Sequence, residues 1–210
     1  MRLLNLCAGA TRPPEPWTNL DNLHATLAPG TPERAQLDSE KNYVNWDIEK
    51  DDLPFQDNVF SAILASHCIE HFSLLDSVEI LKECRRILIP GGFMVVSVPD
   101  ATVFRENYRD DTPENAVALF GEPIFPGEGS TFMQYAGFNR WHLQLFSADS
   151  LWCVMTQAGL SDVHSVNPDW ITAEYGVSKT FPPPPPTPFE ECCDILNRLK
   201  FSLVMVGVKP

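Results

Sequence analysis

The sequence is poor in basic residues, with 15 Lys and Arg against 28 Asp and Glu and a formal net charge of -13. Nucleic-acid-binding proteins generally carry a basic face, and here the basic residues cluster only at Lys82 to Arg86. The composition therefore argues against a nucleic-acid or anionic-membrane partner. The chain also lacks an apolar run of transmembrane length, so we predict no membrane association.

Cysteine motifs of the C-x-x-C type are absent as well. The six cysteines form no C-x-x-C spacing and mostly lie in apolar patterns, which favours a reduced compartment. The first six residues carry one basic residue and run directly into a glycine turn, a pattern of a strand and not of a signal peptide. We therefore predict a cytoplasmic protein. Its 210 residues, 44% of them hydrophobic, suit one domain with a sizeable core.

The clearest structural pattern lies between Asp57 and Asp100. Two short apolar runs, 60–65 and 93–98, flank a segment with helical periodicity that begins after Ser73, an N-cap candidate. The run Ile89-Pro90-Gly91-Gly92 predicts the end of this helix. The segment is one β-α-β unit, so the sheet is at least partly parallel. Such sheets bind ligands beyond the carboxyl ends of their strands.

The remaining chain predicts one domain over residues 1–210 with no internal repeat. Residues 7–16 contain three prolines and cannot form a regular helix. The irregular, aromatic stretch 101–146 predicts a lid or substrate wall, and the proline-rich stretch 181–188 predicts an extended loop. Further strands are predicted at 2–6, 17–21, 43–48, 160–166 and 201–208, and helices around 32–37, at 147–158 and at 189–200.

Three predicted strand ends carry residues that suit a nucleoside ligand. Gly9 follows the first strand, and a glycine turn lets backbone N–H groups approach a ligand closely. Asp21 and Asp47 follow the second and third strands, where an acid can accept hydrogen bonds from ribose hydroxyls. Each aspartate alone is equally typical of a turn cap, but the three together favour nucleoside binding.

The histidines of the stretch Ser66 to Phe72 leave two interpretations open. His67 directly follows a predicted strand and is a candidate general base or a structural histidine. His67, His71 and the remote His142 could instead bind zinc, as in a hydrolase. Two residues next to His142, Arg140 and Trp141, suit a substrate pocket. They equally suit an aromatic core from which the charged end of Arg140 reaches solvent.

Together these motifs resemble the class I S-adenosylmethionine-dependent methyltransferases, in particular their short bacterial and phage-type branch. The matching stretches are Leu53-Pro54-Phe55 with Asp57-Asn58-Val59-Phe60, Ser66 to Phe72, and Arg86 to Gly92 with Val98-Pro99-Asp100. The resemblance implies a Rossmann-like α/β fold: a mostly parallel seven-stranded sheet with an antiparallel last strand and helices on both faces. One departure is that the family usually has glycine where Cys7 stands.

The resemblance also implies roles for single residues. The turn under the methionine part of S-adenosylmethionine would be Cys7, Ala8 and Gly9. Asp21 would hold the ribose hydroxyls, Asp47 the adenine amino group with Ile48 against the ring, and Ser66 and His67 would line the pocket near the methyl group.

The implied activity is methyl transfer to a small-molecule oxygen or nitrogen acceptor. We expect His67, then His142, as a base where the acceptor must lose a proton, and Arg140 with Trp141 against the acceptor. The alternatives are a non-catalytic cofactor- or partner-binding protein on the same scaffold, and the zinc hydrolase. The aromatic stretch 101–146 is also compatible with a dimer surface, so a homodimer stays an open alternative.

Overall fold

The structure is a computed structural model that describes residues 2–9, 12–50, 52–102, 143–166 and 202–210. Its strands are β1 (Leu3–Leu6), β2 (Trp17–Asp21), β3 (Tyr43–Asn45), β4 (Phe60–Ser66), β5 (Leu88–Pro99), β6 (Ser161–Ser165) and β7 (Ser202–Val208). Its helices are α1 (Pro32–Ser39), α2 (Leu74–Ile87) and α3 (Ala148–Gln157), and two short 3-10 turns cover Leu23–Ala25 and Ile69–His71.

All seven strands form one sheet in the order β3-β2-β1-β4-β5-β7-β6. Neighbours from β3 to β5 are parallel, whereas β7 is antiparallel to both β5 and β6. The predicted mixed sheet with an antiparallel last strand is therefore confirmed. The carboxyl ends of β1, β2, β4 and β5 meet at one edge of the sheet, and the antiparallel β7 starts at that same edge.

The β-α-β unit forms as predicted at its start and differs at the helix end. Ser73 caps α2, since its Oγ accepts a hydrogen bond from the backbone N–H of Asp76. The helix ends at Ile87, before the predicted Pro90 stop, because Leu88 already pairs with Phe60 in the sheet. The Pro-Gly-Gly run therefore belongs to β5, where Gly91 donates its backbone N–H to the carbonyl of Lys209.

The main core lies on one face of the sheet, under α2 and α3. Alternate strand residues point to opposite faces, and the ones that build this core are Leu4, Leu6, Ile63, Ala65, Met94, Val96, Val98, Leu203 and Met205. From the helices, Val78, Leu81 and Cys84 of α2 and Leu151, Val154 and Met155 of α3 pack against them. Helical spacing in both segments predicted these contacts.

The opposite face has a polar core beneath the first crossover. Residues 7–16 join the parallel strands β1 and β2, a connection that ordinarily needs a dozen or more residues and a helix. The buried Asn19 donates to the carbonyl of Pro13 at 2.9 Å and accepts from Nδ2 of the buried Asn5 at 3.1 Å. Asn42 donates to the same Pro13 carbonyl. Side-chain amides thus hold this crossover to the sheet.

Two further predictions need correction or lie outside the described residues. Strand β3 ends at Asn45 and not at Ile48, because its neighbour β2 ends at Asp21 and the last ladder bond runs from the backbone N–H of Trp46 to the carbonyl of Asp21. The stretches 101–146 and 181–188 and the helix at 189–200 fall largely or wholly outside the described residues. Within the described ranges, no helix has the length and hydrophobicity to cross a membrane.

Candidate functional site

The turn after β1 folds over the end of β2. Cys7 and Gly9 both have a φ of 53°, in the left-handed region that glycine adopts without cost and other residues adopt at a cost. The backbone N–H of Ala8 donates to the carbonyl of Leu20 at 3.1 Å, and that of Gly9 donates to Oδ2 of Asp21 at 2.7 Å. The left-handed φ at position 7 explains why glycine suits it.

Asp21 is the last residue of β2, as predicted. Its carboxylate lies at the carboxyl edge of the sheet, where it contacts the turn after β1. Besides Gly9, it accepts a hydrogen bond from the backbone N–H of Asn22, to Oδ1 at 2.7 Å. Burial raises the pKa of Asp21, and the two N–H groups and the nearby Arg12 only partly offset this. A carboxylate offers about four acceptor positions, so two backbone donors leave room for two hydroxyl groups of a ligand.

The backbone of Asp21 is held from the next strand. The hydroxyl of Tyr43 donates to its carbonyl at 2.8 Å, and the N–H of Trp46 donates to the same oxygen at 2.9 Å. Burial raises the pKa of Tyr43 above its ordinary value, so this phenol stays a hydrogen-bond donor at neutral pH. The acid therefore sits on a fixed backbone, as a binding residue requires.

Asp47 and Ile48 lie in the turn beyond β3. The carboxylate of Asp47 contacts Nζ of Lys50 at 2.7 Å and accepts from the backbone N–H of Glu49. Ile48 packs against the main core while partly exposed. Both residues are at the predicted edge of the sheet, but Asp47 already has an ion-pair partner.

A disulfide joins Cys7 to Cys68, with their Cα atoms 5.7 Å apart. The sequence analysis did not predict this bond, because the two cysteines are 61 positions apart and no local pattern pairs them. The bond ties the turn after β1 to the residues after β4. It therefore brings His67 next to the glycine turn. The cytoplasmic location stays a prediction.

His67 follows Ser66, the last residue of β4, and its side chain has two polar neighbours. Its φ of 50° turns the chain out of the sheet, while its backbone N–H donates to the carbonyl of Ser97 in β5. Nε2 lies 2.8 Å from Oγ of Ser202, the first residue of β7. Nδ1 lies 3.3 Å from Oε1 of Glu70. The imidazole thus bridges a hydroxyl and a carboxylate.

Glu70 is fully buried in the 3-10 turn that follows. Its burial opposes ionisation, but His67 and the nearby His71 outweigh this and hold the pKa of Glu70 below its ordinary value. Neither carboxylate oxygen has a short, well-aligned hydrogen bond in the described part of the chain, so the 3.3 Å contact of Oε1 with Nδ1 of His67 is its main compensation. The Glu70 backbone carbonyl accepts from Leu143 and Gln144.

The structure leaves part of the predicted site untested. Arg140, Trp141 and His142 lie outside the described residues. Among the residues that are described, no group of three His, Cys, Asp or Glu side chains could hold a metal ion, so the zinc interpretation gains no support from them. Sequence reasoning missed the contacts that His67 makes with Glu70 and Ser202. The spacing of three between His67 and Glu70 was a usable signal, whereas Ser202 lies 135 positions away.

Comparison with known proteins shows a similarity to methyltransferases over part of the chain. Residues 17–96 match the sequence profile of a family described as a methyltransferase domain. No curated protein sequence matches the chain. The matched residues run from β2 through β5 and include Asp21, His67 and Glu70. The match covers less than half of the chain and begins after the Gly9 turn, so it is a similarity of the parallel part of the sheet to a methyltransferase domain.

Solved structures show the same fold at low sequence identity. The S-adenosylmethionine-dependent methyltransferase SibL is 16% identical, with a TM-score of 0.52. The match covers 100% of this chain but only 50% of SibL, so the chain spans about half of that protein's length. A methyltransferase from Archaeoglobus fulgidus is 14% identical over 99% of this chain and 86% of its own, with a TM-score of 0.52. Phosphoethanolamine N-methyltransferase 2 of Haemonchus contortus, solved with S-adenosyl-L-methionine, is 13% identical over 100% of this chain and 49% of its own, with a TM-score of 0.50.

Proposed function

We propose that the protein transfers a methyl group from S-adenosylmethionine to a small-molecule oxygen or nitrogen acceptor. The observation that carries the proposal is the partly buried carboxylate of Asp21 at the carboxyl end of β2, with the Gly9 turn hydrogen-bonded to it. Ligands of open α/β sheets bind at this edge, and an acid beyond the second strand suits a ribose.

The chemistry of the edge supports this cofactor. When bound, S-adenosylmethionine supplies an electrophilic methyl group on a cationic sulfonium. Three carboxylates lie at this edge of the sheet, but Asp47 pairs with Lys50 and Glu70 lies against His67, so Asp21 is the one that favours a cation there. Cys7, Ala8 and Gly9 would hold the methionine part, Ile48 would lie against the adenine, and Ser66 would line the pocket. The protein's main contribution to rate is then to position the acceptor.

The acceptor side rests on the sequence predictions. The net charge of -13 disfavours a nucleic-acid acceptor. The stretch 101–146 would supply the substrate walls, with Arg140 and Trp141 against the acceptor. His67 would take the acceptor's proton, with His142 as the second candidate. The single domain over 1–210, the bacterial or phage-type branch and the homodimer belong to this proposal as well.

The second candidate is a non-catalytic cofactor- or partner-binding protein on the same scaffold. It is favoured by Cys7, which replaces the family's usual glycine and is joined to Cys68. A side chain and a covalent link at the methionine end reduce the room for a ligand there. The two functions differ in turnover and not in the first binding step.

The first experiment is a calorimetric titration of S-adenosylmethionine into the wild-type protein, Asp21→Ala and Asp149→Ala. Asp149 is an exposed acid in the first turn of α3 and controls for the loss of one negative charge. Each hydrogen bond to a charged group is worth about 1.5–3 kcal/mol. We therefore expect saturable wild-type binding, Asp149→Ala like wild type, and Asp21→Ala weaker by about 100-fold.

The outcomes separate the candidates. Absence of binding by folded wild-type protein would refute the methyltransferase proposal. Binding that Asp21→Ala leaves unchanged would refute the assigned ribose position. Binding with the expected pattern leads to a screen of small hydroxyl and amine acceptors with radiolabelled methyl donor. Turnover in that screen favours the enzyme, and its complete absence favours the non-catalytic binder.

A further inference from the structure

Ser202, His67 and Glu70 form a connected row of three side chains at the carboxyl edge of the sheet. Ser202 Oγ lies 2.8 Å from Nε2 of His67, and Nδ1 of His67 lies 3.3 Å from Oε1 of Glu70. The three residues come from the start of β7, the end of β4 and the following 3-10 turn. Because distant parts of the chain converge here, the row is a product of the fold and not of local sequence.

The carboxylate of the row is enclosed, while the other two members are partly exposed. Glu70 is 0% exposed and His67 is 20% exposed, while Ser202 has intermediate burial. Ser202 and His67 are therefore accessible enough to exchange protons with a ligand, while the enclosed carboxylate can balance the charge on the imidazole. A buried carboxylate is costly unless it accepts hydrogen bonds, and Nδ1 of His67, 3.3 Å from Oε1, is placed to donate one.

The carboxylate also selects a tautomer of His67. A carboxylate accepts hydrogen bonds and cannot donate them when ionised, so Glu70 favours the proton on Nδ1. Nε2 is then a bare acceptor, and the Ser202 hydroxyl donates to it. This is the order of donors and acceptors in which an orienting acid holds a histidine as a general base.

We propose that Ser202 and His67 form a proton relay for the methyl acceptor, with Glu70 as the residue that positions His67. This inference rests on the proposed function. As the acceptor atom bonds to the methyl carbon, its proton passes to Ser202 Oγ, and the Ser202 proton passes to Nε2. The imidazolium that results lies against Glu70 and later releases the proton to solvent. The carbon–sulfur bond breaks with its electron pair on sulfur, so charge and protons balance.

The position of the three residues in the fold supports a role as a proton relay. The Cys7–Cys68 disulfide fixes the residue after His67 to the turn after β1, next to the proposed cofactor. On the other side, Ser202 pairs with Pro99 at the end of β5. The row thus runs from His67, near the proposed cofactor site, across the end of β5 to Ser202, where the acceptor would meet it.

The test is nitrogen-15 NMR of histidine-labelled protein without cofactor, with the His67 signals assigned by His67→Asn. We expect the neutral imidazole of His67 to carry its proton on Nδ1, with Nε2 bare. Ser202→Ala should shift the Nε2 signal and keep the tautomer, while the exposed control Ser165→Ala changes neither. Glu70→Gln should give a mixture of tautomers. A wild-type Nε2–H tautomer, or a Glu70→Gln spectrum like wild type, would overturn the relay.

Two further measurements keep the proposal falsifiable. Labelling of Ser202 by a fluorophosphonate probe would mark it as a covalent nucleophile and also overturn the relay. If Glu70→Gln fails to fold, the relay is still tested by two measurements: the tautomer of His67 in the wild-type protein and the effect of Ser202→Ala on the Nε2 signal. The NMR result is independent of cofactor binding, so a wrong tautomer with intact S-adenosylmethionine binding removes the relay alone. With an acceptor from the screen, Ser202→Ala should lower kcat while the cofactor Kd stays unchanged.

Discussion

Two regions of the sheet are built in different ways. The β-α-β unit of β4, α2 and β5 is held by apolar side chains such as Leu81 and Val96, which are fully buried in the main core. The first crossover and the end of β2 are held by amides, a phenol and backbone N–H groups around Asp21. Apolar packing supplies stability without direction, whereas hydrogen bonds fix the direction of groups that face a ligand. Substitutions in the first region should therefore lower stability and leave ligand binding unchanged, whereas substitutions in the second region should weaken binding more than they lower stability.

The largest effect on stability is expected in the β-α-β unit. Leu81→Ala removes a side chain with 0% exposure and should lower the free energy of unfolding by about 2–5 kcal/mol, because a cavity is left. The measurement is urea unfolding, with Leu75→Ala, which is 77% exposed, as the matched control. Cofactor affinity of the folded Leu81→Ala protein should stay at the wild-type value. A neutral Leu81→Ala would contradict the packing described for α2.

The second-largest effect on stability is expected from loss of the Cys7–Cys68 disulfide, which joins the two regions. Cys7→Ser with Cys68→Ser removes a cross-link between positions 61 apart and should lower the free energy of unfolding by about 2–4 kcal/mol. Cys153→Ser, at an exposed free cysteine, serves as the control. The comparison requires protein purified without reductant. Thiol titration that finds both Cys7 and Cys68 free in such protein would contradict the disulfide itself.

The difference between the regions also explains what the sequence could predict. The β-α-β unit follows local rules: a helical period, a Ser73 cap and two apolar runs. These placed α2 and its neighbouring strands correctly, apart from the helix end, where strand pairing of Leu88 with Phe60 prevailed over the Pro-Gly-Gly signal. Asp21 was also predictable, because its position depends only on where β2 ends.

The first crossover and the histidine row depend on contacts between distant positions. Nothing near Cys7 indicates Cys68 as its partner, and nothing near His67 indicates Ser202. The amide contacts of Asn19 with Pro13 and Asn5 likewise require the parallel pairing of β1 and β2 before they exist. Such contacts become predictable only after the topology is known, and they are the ones that build the site.

A smaller effect on stability, with a larger effect on binding, is expected from Asn19→Ala. The variant removes hydrogen bonds to Asn5 and to the Pro13 carbonyl in a buried place, which should cost about 1–3 kcal/mol. Because Pro13 belongs to the crossover that carries the Gly9 turn, cofactor affinity should fall as well. Urea unfolding and calorimetry on the same samples measure both. Leu81→Ala is the control, destabilised without weaker binding; an equal loss of affinity in both variants would contradict the distinction between the regions.

The smallest and most specific effect is the pH dependence that Asp21 imposes on binding. Burial raises the pKa of Asp21 above 3.8, and ribose hydroxyls donate to the ionised form. As the pH falls through that raised pKa, affinity should fall by up to about tenfold for each pH unit. Calorimetry across a series of pH values measures this, and Asp21→Asn, which cannot ionise, should remove that part of the slope.

Stability should respond to Asp21 in the opposite direction. A raised pKa means that the folded protein holds the Asp21 proton more tightly than the unfolded chain does. The contribution of Asp21 to stability is therefore fully present below the unfolded pKa and is lost as the pH rises through the folded pKa. The same acid thus favours folding when protonated and binding when ionised, as expected of a residue buried for a ligand. If Asp21→Asn keeps the wild-type pH slopes of both unfolding and binding, another group carries them and the assignment of Asp21 is wrong.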